Sequence, residues 1–158
     1  MARNDIKLLS PIEDQFSVKC IVASGAATSI ESGEPTKAST SGYVAIMVDA
    51  DGTTGTRFTG IAKSDSTDTA SADGTVYLWL PLPGLIYSAA AKTAANFDTQ
   101  AEIDALFGSR VIFDLTSSTW TIDTAASDSA TNCVVIVGGD YHTSTVYFTY
   151  SISGTIFE

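Results

Sequence analysis

His142 is the only histidine of the 158-residue chain, and it lies midway between Asp140 and Ser144. Acid, base and nucleophile types are thus present in one short stretch. A triad needs its three side chains to converge in hydrogen-bonding order, and neighbours on one turn do not achieve that by proximity in sequence. No Gly-x-Ser-x-Gly elbow is present either, so the expectation is an exposed loop histidine. A single histidine rules out the zinc sites built on several, and the widely spaced Cys20 and Cys133 do not replace them. Both cysteines fall in strand-like runs, which predicts buried free thiols and no disulfide scaffold.

Carboxylates offer further candidates. Asp49-Ala50-Asp51-Gly52 resembles the start of a calcium loop, since a hard cation wants several oxygens from one tight turn, but the closing Glu at the twelfth position is missing. A plain hairpin turn is the simpler reading. Asp65, Asp68 and Asp73 share one polar loop and could hold a cation weakly, although acids spaced among Ser and Thr are ordinarily just solvated. The glycines form no phosphate cradle: no Gly-Lys-Ser/Thr follows a strand and no Gly-x-Gly-x-x-Gly opens a helix. No carboxylate pair is singled out for glycoside chemistry. Tyr77, Trp79, Trp120, Tyr147 and Tyr150 sit at alternating strand positions, where aromatics serve a core, a subunit interface or a sugar-binding surface. No catalytic, cofactor or metal residue is therefore assigned.

Composition bounds what such residues could act on. Eight Lys and Arg stand against 18 Asp and Glu, for a net charge of −10. That sign disfavours nucleic acid, whose binding needs cations that displace counterions from phosphate, and anionic membrane surfaces equally. Charged residues are 16% of the chain, against about 25% in an average domain. Ser and Thr take their place at about a quarter of all residues, and with 12 Gly and many β-branched and aromatic residues they favour strands and turns. The length suits one domain with one continuous core, and a mean hydropathy of +0.18 argues against disorder over most of it. The longest apolar run, at 76–87, is broken by Pro81, Pro83 and Gly84 and is too short to span a bilayer. The short apolar stretch at 6–9 is no signal-peptide core, so synthesis in a cytosol is expected.

Residues 1–15, with mixed charge and Pro11, read as an N-terminal arm that is extended or loosely attached, and residues 16–158 as a single β-rich domain. Phe16, Val18, Cys20 and Val22 alternate with Ser17, Lys19 and Ile21, the period of a half-buried strand. Residues 24–42 read as a long surface loop with room for one short strand. The run 43–48 is expected to turn through 49–55 into a hairpin with 56–63. In 75–80, Val76, Leu78 and Leu80 share one face while Tyr77 and Trp79 share the other, so both faces should be partly covered. One short helix is predicted at about 99–107: Thr99 caps it, Glu102 completes a capping box, Ile103, Leu106 and Phe107 form its stripe, and Gly108 stops it. The apolar run 133–137 should be the most central strand. Eight to ten strands and one helix imply a mainly β fold, a small β-barrel or sandwich with one inserted helix.

Several segments carry a resemblance. Phe58-Thr59-Gly60-Ile61-Ala62, Ser71-Ala72-Asp73-Gly74-Thr75-Val76 and Leu80-Pro81-Leu82-Pro83-Gly84-Leu85-Ile86-Tyr87 come first. Thr99-Gln100-Ala101-Glu102-Ile103-Asp104-Ala105-Leu106-Phe107-Gly108, Arg110-Val111-Ile112-Phe113-Asp114-Leu115 and Val135-Ile136-Val137-Gly138-Gly139-Asp140 follow. Together they resemble the head-decoration, or capsid cement, proteins of tailed bacteriophages, over roughly the last two thirds of the chain. The resemblance implies a β-barrel-like virion protein without enzyme activity or cofactor. It would be commonly a homotrimer, seated on the outer capsid surface and bridging adjacent subunits of the major capsid protein. An arm in such proteins lies across neighbouring capsid subunits, which makes Arg3, Ile6, Lys7, Leu8 and Leu9 the expected capsid contacts here. Tyr77, Trp79, Trp120 and Tyr147 are the expected subunit-interface residues. The alternative is a carbohydrate-binding β-sandwich of a fibre or surface protein, in which the same four would touch glycan.

Overall fold

The structure, a computed structural model, describes residues 6–9, 16–25, 29–39, 41–49, 58–129 and 131–151. A two-residue strand, β1 (Lys7–Leu8), comes first. Next, β2 (Ser17–Val22), β3 (Pro35–Ala38), β4 (Val44–Ile46), β5 (Phe58–Ala62) and β6 (Gly74–Trp79) close into a barrel in the order β2-β4-β3-β5-β6. The alternation expected for 16–22 and 75–80 sends Val22, Val76 and Leu78 inward, where they meet Ile30, Val44 and Ala62. Thr36 joins them as a polar residue with no exposure. It is accommodated because its hydroxyl bonds to Thr59 Oγ1 and donates to the Gly60 carbonyl, which satisfies it away from water.

The remaining strands, β7 (Tyr87–Ala90), β8 (Arg110–Thr116), β9 (Thr119–Asp123), β10 (Val134–Asp140) and β11 (Thr145–Tyr150), form with β1 a six-stranded sheet ordered β1-β7-β11-β10-β8-β9. The apolar run at 133–137 does lie inside the sheet, in β10 between β11 and β8. The sheet curls on itself. Ala91 bridges Ile122 in parallel and the Lys92 N–H donates to the Ile122 carbonyl, so the end of β7 meets β9. Tyr87, Phe113, Trp120, Phe148 and Tyr150 fill the concave side. Phe58 of the barrel enters the same cluster, 5.4 Å from the ring of Phe113 and 4.9 Å from that of Tyr150, and ties barrel and sheet into one core.

The helix α1 (Gln100–Leu106) has the expected capping box: Thr99 Oγ1 accepts from the Glu102 N–H, and the Glu102 carboxylate accepts from the Thr99 N–H. Its apolar stripe is shorter than expected. Ile103 is buried, but Phe107 leaves the helix with an extended ψ of 125° and is 66% exposed.

One further expectation is corrected and another is narrowed. The run at 43–48 does not form a hairpin with β5, because β3 lies between β4 and β5 and pairs antiparallel with both. The described part of the arm takes the extended one of the two expected forms, and it is paired rather than loose. The N–H of Ile6 donates to the Gly33 carbonyl on the barrel side, β1 pairs with β7 (Lys7↔Ser88, Leu8↔Tyr87), and the N–H of Leu9 donates to the Ile86 carbonyl. Ile6 and Leu8 therefore sit in the seam between barrel and sheet as core residues. The rest of 1–15 lies outside the described residues.

Candidate functional site

The three residues with catalytic potential occupy the turn between β10 and β11. Asp140 turns its carboxylate back on the turn itself, accepting from the His142 backbone N–H at 2.9 Å and from the Thr143 hydroxyl at 3.0 Å. Ser144 sends its hydroxyl to the Ala94 carbonyl at 3.5 Å, and the His142 ring lies exposed against the ring of Tyr141. Asp140 thus closes a turn in the manner usual for Asp, and the three side chains do not converge on a common point.

The acidic loop works in the same way. Asp65 accepts from the Ser32 N–H, and Asp73 from the Ser24 N–H and the Tyr43 hydroxyl, while Asp68 accepts from Ser66, whose own oxygen takes the Ile30 N–H. These bonds fasten the stretch after β2 and the start of β4 to the loop before β6. The Ser24 N–H, aided by the Tyr43 hydroxyl, holds the Asp73 carboxyl below the usual carboxylate range. Asp49 accepts from the Leu115 N–H, while Asp51 and Gly52 lie outside the described residues. Among the described residues, no group of three or more His, Cys, Asp or Glu is placed to hold a metal ion.

One ionic cluster was not foreseen. Lys92 Nζ lies 2.8 Å from Asp114 Oδ1 on β8 and 2.9 Å from Asp123 Oδ2 on β9, where the sheet closes on itself. Asp114 also accepts from the Thr116 hydroxyl. Burial raises the Asp114 carboxyl, but the hydrogen bonds from Lys92 and Thr116 outweigh it, so the net position is below the usual range. The bonds to Asp114 and Asp123 push the Lys92 ammonium up in turn. The sequence signal is an acid in the middle of the apolar run Val111-Ile112-Phe113-Asp114-Leu115, a position tolerated only with a partner.

This cluster has a pH consequence. Asp114 is more acidic folded than unfolded, where a carboxyl of its type titrates near ~3.9. Its stabilising contribution is complete above that pH and is lost as the pH falls through the lower, folded value. In Lys92→Met the burial remains and the cation is gone, so the carboxyl shifts upward and the sign reverses. Urea midpoints measured between about pH 3 and pH 7 are expected to fall less steeply on acidification in Lys92→Met than in the wild type. Parallel profiles would mean that Lys92 does not set the ionisation of Asp114.

The expected contact residues separate by burial. Trp120 is 1% exposed within the core, which corrects its assignment to a subunit or glycan contact: the alternation on β9 places it against the concave side of the sheet. Trp79 is half-buried against the same core, and Tyr147 is half-buried on β11. Tyr77 is 47% exposed and is the most accessible of the four. In the arm, Ile6 and Leu8 point into the protein, Lys7 and Leu9 point out, and Arg3 lies outside the described residues. Cys20 and Cys133 are free thiols but half-buried rather than sealed in. Desolvation pushes the Cys20 thiol up and the Cys133 thiol up to about 12.

No family model, curated protein or solved structure matches the chain. Among the described residues no helix is long and apolar enough to cross a membrane.

Proposed function

We propose that the chain is a structural virion protein, a decoration protein that binds the outer surface of an assembled tailed-phage head as trimers, bridges adjacent subunits of the major capsid protein and stabilises the shell. The observation that carries this reading is the set of segments resembling that family. Most of their apolar residues are buried: Phe58, Ile61, Leu85, Tyr87, Ile103, Val111, Phe113 and Ile136 lie in the core shared by barrel and sheet, and Ala62 and Val76 in the smaller core inside the barrel. What resembles the family is therefore the scaffold, and the partner-specific contacts fall on the surface it carries.

The physics of the role is mass action. A protein that binds only the assembled lattice stabilises it by RT ln(1 + [L]/Kd), and weak contacts repeated by linked protomers gain effective concentration. A net charge of −10 on the outer face would keep the protein off packaged DNA and keep particles mutually repulsive.

The structure changes how the arm should be tested. Removing residues 1–15 would delete Ile6 and Leu8 from the core, so the exposed pair is the better probe. Purified protein is expected to co-sediment with expanded heads and not with unexpanded ones. Lys7→Glu combined with Leu9→Ser, which reverses one charge and removes one exposed apolar side chain, is expected to weaken that binding by about tenfold, or about 1.4 kcal/mol, at unchanged thermal midpoint. Equal binding to both shell forms, or to neither, would count against the role. Unchanged binding by the double variant would remove the arm from it.

A further inference from the structure

Among the described residues, strand β2 is paired along its whole length on one edge and at a single residue on the other. All six of its residues pair with β6, from Ser17↔Trp79 to Val22↔Gly74, whereas its pairing with β4 is the single parallel pair Val22↔Val44. A parallel pairing that begins at the last residue of β2 carries β4 beyond the end of that strand. The chain before Val44 turns away into the β3–β4 connection, closed on itself by bonds from the Ser39 N–H to the Tyr43 carbonyl and from the Gly42 N–H to the Ser39 carbonyl. Among the described residues, no strand lies beside the second edge of β2 from Val18 to Ile21.

The side chains agree with the backbone. In a covered strand one of the two alternating sets is buried, but both sets of β2 reach solvent: Val18 is 39% exposed on the barrel-facing set, and Ile21 53% on the outer set beside the exposed Lys19. Tyr77, opposite Lys19 and diagonal to Ile21, extends the outer patch. Lys19 has no ion pair or hydrogen-bonded side-chain partner among the described residues.

An edge that the described residues leave without a partner from Val18 to Ile21 is a template for another strand, and Lys19 decides which. Two copies pairing antiparallel about Lys19 would place two ammonium groups directly opposite each other, which is destabilising. An edge lysine is a common device against such self-pairing. A segment with apolar residues opposite Val18 and Cys20 and a carboxylate opposite Lys19 satisfies both faces and the charge. We propose that the open edge of β2 is a docking site for an extended strand of a protein partner in which apolar and acidic residues alternate, added to the barrel by β-augmentation. The inference goes beyond the capsid reading and does not depend on it.

The test is an NMR titration of the isotope-labelled full chain with the peptide Thr-Val-Glu-Val-Glu-Val-Thr and with its counterpart carrying Lys for Glu. Shifts are expected to centre on residues 18–21, with the acidic peptide binding roughly two- to fivefold more tightly, within the range an opposed charge pair gives on a sheet. Lys19→Glu is expected to reverse the preference, while Lys7→Glu on β1 leaves it intact. Both variants alter exposed side chains, so folding is retained. Absence of shifts at β2, equal affinity for both peptides, or a preference unmoved by Lys19→Glu would overturn the proposal. Sedimentation equilibrium revealing a dimer that buries β2 and excludes both peptides would overturn it in favour of a second copy.

Discussion

Gly60→Ala is expected to destabilise the fold by about 3–5 kcal/mol, combining backbone strain with overpacking. Gly60 sits in β5 with φ +151°, a conformation L side chains rarely adopt, and a Cβ there would lie 2.3 Å from the Trp79 carbonyl oxygen. That oxygen belongs to the paired strand β6, so the barrel wall itself would have to move. The position is also where Thr36 is satisfied, since its hydroxyl donates to the Gly60 carbonyl and the β3–β5 register shifts just after it. Gly42→Ala serves as the comparison. Gly42 has φ +81° but nothing within 4 Å of its added carbon, so the strain is present without the clash and the cost should be about 1–2 kcal/mol. Urea unfolding of the two variants separates these contributions. Equal midpoints would show that the close approach to Trp79 is relaxed cheaply. Against a total stability of about 5–15 kcal/mol, the first substitution removes a large share.

Phe58→Ala is expected to cost about 3–5 kcal/mol, the range for truncating a fully buried aromatic. Its consequence reaches further than its strand. Phe58 is the barrel residue that stacks among the aromatics of the sheet, against Phe113 and Tyr150, and its loss opens a cavity between the two bodies. The two tryptophans view the shared core from its two sides, since Trp79 lies on the barrel strand β6 and Trp120 on the sheet strand β9. Single-tryptophan forms made by Trp120→Phe and Trp79→Phe are expected to show one coincident transition in the wild-type background, because the larger core takes residues from both bodies, Phe58 and Ile61 of the barrel among them. In the Phe58→Ala background the common transition shifts to lower urea. Two separate transitions already in the wild type would refute the shared core.

How much of this was legible follows from the physics of each element. The capping box at Thr99 and Glu102 is a local hydrogen-bond exchange written in four residues, and it stands as expected. Val146, Phe148 and Tyr150 alternate on β11, as a half-buried strand requires. Strand β3 was hard to see because its sequence, Pro-Thr-Lys-Ala, is hardly apolar: Thr36 is buried through hydrogen bonds rather than hydrophobicity. Nothing in those four residues marks β3 as the partner of β5, so the sequence pairs β5 with the more apolar β4 instead. A two-residue strand such as β1 has no period to detect, and only the tertiary seam between barrel and sheet gives Ile6 and Leu8 their place. The β8–β9 turn illustrates the same limit. Ser117 and Ser118 both take positive φ, 50° and 66°, as a two-residue hairpin turn demands, although neither is the Asn or Gly that would announce it.

The candidate site was less legible than the fold. Asp140, Asp65, Asp68 and Asp73 could be named from sequence, but whether a carboxylate faces a ligand or caps its own turn depends on backbone groups that no spacing reveals. Asp114 and Lys92 are separated by many residues and meet only because the sheet curls. The edge of β2 left without a partner among the described residues comes from the short overlap with β4, which touches β2 at one residue where the barrel closes. Its alternation was correct in the sequence, and its exposure on both faces was not written there.

The central claim, a decoration protein on the outside of an assembled head, is tested most directly by a cryo-EM reconstruction of phage heads from the source of the chain. The account predicts β-rich trimers of this chain projecting from the outer surface at or near the three-fold positions, each protomer spanning a boundary between major capsid protein subunits, with Lys7 and Leu9 on the shell side. Heads whose outer surface lacks the chain, or density for it only on the tail or a fibre, would contradict that claim.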